Sequence, residues 1–70
     1  MASGEEPDGD GIIYEFIRIG GSVKVTAVDP VTYIEVSIVG SPLVSDAELM
    51  RLARRKLDYV LAKRGRPRAR

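Results

Sequence analysis

Seventy residues make one domain at most, and a core drawn from so few gains only about 3–5 kcal/mol unless a disulfide, a metal or a partner subunit adds to it. The chain has no cysteine and no histidine, which excludes disulfides and thiolate sites and removes both the commonest metal ligand and the neutral-pH proton shuttle. Net charge is +1 but divided: residues 1–50 hold two basic and nine acidic side chains, residues 51–70 hold nine basic ones against Asp58 alone, an asymmetry that points to an acidic partner or to mutually attracting ends.

Residues 1–11 combine Gly, Asp, Glu, Ser and Pro with almost nothing to bury, so a disordered acidic leader is expected, with the domain at 12–64 and a disordered basic tail at 65–70. The leader is acidic where a secretory signal would be basic and then apolar. Together with the lack of cysteine, this gives the expectation of a cytoplasmic protein. The longest apolar-rich stretch, Val36 to Val44, is broken by Ser37, Gly40, Ser41 and Pro42 and is far short of the roughly twenty residues that cross a bilayer.

Ile12 to Ile19 is rich in β-branched and aromatic residues, and Gly20-Gly21 has the chemistry of a two-residue hairpin turn before a returning strand at Ser22 to Asp29. That turn puts Arg18 opposite Val23, Phe16 opposite Val25 and Tyr14 opposite Ala27, so these apolar residues share one side. Asp29-Pro30-Val31-Thr32 reads as a type I turn. A third strand follows from about Tyr33 to Val39, with Ile34, Val36 and Ile38 on its core face.

Ser45-Asp46-Ala47-Glu48 has the spacing of a capping box, with Val44 placed to staple onto Leu49. Leu49, Leu52, Ala53, Leu57, Val60 and Leu61 then follow the spacing of one helical face until Gly65 and Pro67 stop it. The expected helix is about nineteen residues, close to 28 Å at 1.5 Å per residue, with acidic residues in its first turn and basic ones in its last. The predicted fold is therefore α+β: a three-stranded antiparallel meander with one C-terminal helix packed on one face, in the order βββα.

Acid–base chemistry has only carboxylates, lysines and tyrosines to draw on, and none forms a recognisable set. Glu15 and Glu35 read as solvated strand carboxylates, and Gly20-Gly21 lacks the strand-to-helix context of a phosphate-cradling loop. The expectation is a protein that is not an enzyme, with no cofactor, no metal and no small-molecule substrate.

The predicted register leaves Ile13, Ile17, Ile19, Val28 and Val39 on the side that the helix does not cover. A monomer rarely leaves such a patch bare, so this face is the expected protein interface, for a second copy or a larger protein. The plain alternative is a strand face screened by the stems of Lys24 and Arg18 and by the chain ends.

The basic end offers another reading. Arg51, Arg54 and Arg55 share a helical stripe with Asp58, which is solvated surface on the plain reading and a polyanion contact on the functional one. Arg64-Gly65-Arg66-Pro67, with Arg68 and Arg70 beyond it, resembles the core of an AT-hook, in which Gly and Pro let arginines enter a narrow minor groove. Nucleic acid is thus the alternative partner.

Tyr14-Glu15-Phe16, Gly20, Val23-Lys24-Val25-Thr26-Ala27, Asp29-Pro30, Glu35 to Gly40 and the helix residues Ala47-Glu48-Leu49, Leu52-Ala53 and Lys56-Leu57 resemble a family of short alphaproteobacterial proteins of unknown function. The resemblance spans about residues 13–62 and implies no activity. The family's hairpin carries Gly where this chain has Tyr33. The βββα order is also similar to three-stranded major-groove DNA readers and to the latter part of double-stranded-RNA-binding domains, but Asp46 and Glu48 at the helix start would repel phosphate, and fold analogy alone licenses no function.

Overall fold

The computed structural model describes the backbone of residues 3–7 and the whole of residues 9–64, with Gly65 as the last helical position. Its elements are β1 (Ser3–Pro7), β2 (Ile13–Ile19), β3 (Ser22–Asp29), β4 (Ile34–Gly40) and α1 (Asp46–Gly65). The strands form one antiparallel sheet in the order β1-β2-β3-β4. The α+β class, the meander and the terminal helix are those that the sequence predicts, and the sheet has one strand more.

That extra strand lies where a disordered leader is expected. Ser3 pairs with Ile17 and Pro7 with Ile13, so β1 borders β2 along its free side. Composition argues against order because it scores what side chains can bury, whereas an edge strand draws on backbone hydrogen bonding to the strand beside it. Proline and glycine are tolerated there because one side of the strand makes no ladder bonds.

The hairpin from β2 to β3 has the predicted register, with Phe16 opposite Val25 and Tyr14 opposite Ala27. Gly20 takes positive φ (57°) and Gly21 does not, the pattern of a type II′ turn, whose twist suits the flanking strands. Between β3 and β4, Asp29 organises the loop. Its side chain accepts hydrogen bonds from the Val31 N–H (3.0 Å) and the Thr32 hydroxyl (3.1 Å), and its carbonyl accepts from the Tyr33 N–H (2.7 Å). The chain re-enters the sheet only by turning Tyr33 into the left-handed region at φ 64°, so β4 begins one residue later than predicted. A side chain costs about 1–2 kcal/mol there, and the Tyr33 ring, 84% exposed, recovers little of it by packing.

One helix covers one face. The core consists of Ile12, Tyr14, Val23, Val25, Ala27 and Val36 from the sheet side and Leu49, Ala53 and Leu57 from α1. Phe16, Ile34, Ile38, Val44, Met50, Val60 and Leu61 pack around it. Ser45 is the helix N-cap, its hydroxyl accepting the Glu48 N–H at 3.1 Å, as the capping box predicts. Leu52 departs from the expected core face: it is 39% exposed, because the buried seam runs through positions 49, 53 and 57 and leaves position 52 on the flank.

Gly40 lies directly against the helix: a Cβ there would come 2.5 Å from Leu49 Cδ2, a side chain that is itself buried. Two substitutions should therefore move stability in opposite directions in urea titrations. Gly40→Ala is expected to cost about 1–3 kcal/mol by overpacking, and Tyr33→Gly is expected to stabilise by about 1 kcal/mol by relieving the left-handed position.

Candidate functional site

Side chains of opposite parity to the core line the other face of the sheet. The pairings arrange them in rows across β2, β3 and β4: Ile13, Val28 and Glu35; then Glu15, Thr26 and Ser37; then Ile17, Lys24 and Val39. Ile19 and Ser22 close the hairpin end. All five aliphatic residues that the sequence assigns to an interface lie on this surface. Ile19 and Val39 are exposed, and Ile13, Ile17 and Val28 are half-buried by their neighbours across the strands. The centre of the face is polar but internally satisfied, since the Thr26 and Ser37 hydroxyls hydrogen-bond each other at 2.8 Å.

The face carries both signs of charge: Glu15 and Glu35 against Lys24, which stands between Ile17 and Val39. Among the described residues no group of three or more His, Cys, Asp or Glu side chains is placed to hold a metal ion. The chemistry on offer is burial of aliphatic surface and exchange of a few ion pairs with whatever lies against it.

The arginines of the helix divide. Arg54 is committed to the fold: its Nε donates to Asp58 (2.9 Å) and its Nη2 to Asp10 (2.9 Å), and it also hydrogen-bonds Tyr14. These partners, Asp58 first, then Asp10 and Tyr14, hold the guanidinium charged well beyond its ordinary range. Its charge is therefore constant over any pH at which the protein folds. Arg51 pairs with Glu48 one turn before it. Arg18 reaches from the end of β2 to Asp46 in the first turn of α1 at 3.2 Å. Of the residues expected to contact nucleic acid, Arg55 and Arg64 remain exposed, Arg51 and Arg54 face carboxylates, and Arg66, Arg68 and Arg70 lie outside the described residues.

The Arg54 clamp is the feature that sequence reasoning misses. Asp10 is 44 positions away and falls in the segment read as leader, so only Asp58, four residues along the same helix, is visible as a partner. The available signal is Arg54 itself, which follows the buried Ala53 and lies at the margin of the core stripe.

No helix among the described residues is long and apolar enough to cross a membrane. A family model described as a domain of unknown function (DUF6898) matches residues 9–64, a span that opens at the Asp10 clamp and closes at the end of the helix. No curated protein and no solved structure matches the chain.

The division of the arginines makes a direct test. Arg54→Ala is expected to cost about 1–2 kcal/mol in thermal or urea unfolding, because it strips a partly covered hydrogen-bonding hub and its packing stem. Arg55→Ala is expected to leave stability unchanged.

Proposed function

The chain belongs to the DUF6898 family, whose description brings no activity with it, and we propose that it is a small non-enzymatic interaction module that pairs through the uncovered face of its sheet, first of all with a second copy of itself. The observation that carries this reading is the aliphatic set Ile13, Ile17, Ile19, Val28 and Val39 on the face opposite the helix. Nine of the described residues make up the buried core, and neither cysteine nor histidine is present in the sequence to reinforce it. Stacking one sheet face on another is the usual way for such a surface to leave water. A second copy suits it because each face presents carboxylates and an ammonium together, so two copies can meet without matching like charge to like. A larger protein with a flat aliphatic patch is the other occupant of the same surface.

Sedimentation velocity over a range of concentrations tests this. The parent chain is expected to sediment as a dimer at high concentration. Ile17→Lys is expected to be monomeric and to keep its helical circular dichroism, since the substitution lies away from the core. A parent that stays monomeric throughout, with Ile17→Lys equally soluble, would remove the second copy as the partner.

A second reading, association with nucleic acid, is favoured by the exposed Arg55 and Arg64 and by the AT-hook-like Arg64-Gly65-Arg66-Pro67 of the sequence. The neutralisation of Arg51 and Arg54 by carboxylates weakens it by taking two of the three arginines of the expected helix stripe out of play. It predicts binding to an A·T-rich duplex that falls steeply with added salt and is lost on deleting residues 64–70.

A further inference from the structure

β4 is the last strand of the sheet, and one of its backbone groups already has an unusual partner: Lys56 Nζ, reaching over from α1, donates to the Ser37 carbonyl at 2.9 Å. The close Thr26–Ser37 hydroxyl contact is that of a narrow antiparallel pair, whose residues do not exchange backbone bonds. Both observations turn the Ser37 N–H and C=O away from β3 and toward the free edge. Because backbone direction alternates along a strand, Glu35 and Val39 present their N–H and C=O groups to the same side.

Lys56 thus stands where the N–H of an added strand would stand. The flank of α1 above it is only partly used. Leu52 and Tyr59, four residues before and three after Lys56 and so on the same side of the helix, are 39% and 64% exposed. Lys63 Nζ lies over the Tyr59 ring, 5.5 Å from its centre. The free edge, the apolar flank and two ammonium groups form one strip.

We propose that this strip, the edge of β4 beneath Lys56, Tyr59 and Lys63, takes up an extended acidic segment of a partner protein by strand addition. The hydrogen bonds would come from Glu35, Ser37 and Val39, and the alternate side chains that face α1 would meet Leu52 and Tyr59. Selectivity comes from Lys56. A carboxylate on the helix-facing side of the incoming strand draws the ammonium off the Ser37 carbonyl and leaves that acceptor for the strand's own N–H. A neutral strand must displace the ammonium and offers it nothing in return. Glu35 projects from the opposite face of the sheet, so it opposes acidic residues there and sets which side of the segment must carry them. The site uses the backbone edge of β4, whereas the aliphatic face uses side chains; Val39 belongs to both, but strand addition does not depend on pairing through that face.

The experiment uses the full chain carrying Ile17→Lys, so that it reads the edge whether or not the aliphatic face pairs. Two capped peptides of alternating Val and Glu or alternating Val and Gln are titrated at low salt, with backbone amides followed by NMR. The acidic peptide is expected to bind about fivefold more tightly than its neutral counterpart, the scale of one well-placed surface ion pair. It should slow exchange at the Glu35, Ser37 and Val39 amides. Lys56→Met is expected to bring the two affinities to within a factor of about two. Equal affinities in the parent, protection at amides elsewhere, or an acidic preference that survives Lys56→Met would each overturn the proposal.

Discussion

The structure depends on one geometric constraint: the two faces of a strand alternate residue by residue, and the described residues hold one helix with which to cover them. The turn at Gly20 sets β2 against β3 so that Tyr14, Val23, Val25 and Ala27 fall on the same side. Leu49, Ala53 and Leu57 close over that side, with Gly40 leaving room for Leu49. A slip of one residue in the hairpin would exchange every side chain between the covered and the bare face. Core, outer surface and the orientation of both edges follow from that single register.

The charge division along the chain has a structural meaning once the sheet is assembled. Asp10, Asp46 and Glu48 from the acidic part come against Arg54, Arg18 and Arg51 respectively, and Asp58 completes the set. Such exposed pairs add little stability one by one. Their effect is on what is left over, because they give Arg51 and Arg54 carboxylate partners and leave Arg55, Lys63 and Arg64 as the exposed helix cations that face no carboxylate among the described residues. Lys56 is exposed too, but it is tethered to the edge of β4.

Sequence reasoning reads what is local and periodic. The Gly-Gly turn, the strand alternation and the Ser45 capping box each encode their structure within a few residues, so the register, the cap and the composition of the bare face are legible before any coordinates. Three features are not. β1 is held through backbone pairing and has no side-chain pattern to announce it. Tyr33 sits at a left-handed position that the loop geometry imposes and its residue type disguises. Arg54 and Lys56 find partners outside the helix, Asp10 in the turn before β2 and the Ser37 carbonyl of β4, through tertiary approach that helical spacing cannot express.

Exposure of methyl groups to a soluble paramagnetic cosolute, measured by NMR on dilute and on concentrated samples, bears most directly on the central claim that one face is sealed and the other bare. In dilute solution the methyls of Ile17, Ile19 and Val39 should broaden strongly, while those of Val23, Val25 and Leu57 stay sharp at every concentration. The reverse assignment, with Val25 and Leu57 open to the cosolute and Ile17 protected in dilute solution, would contradict the account.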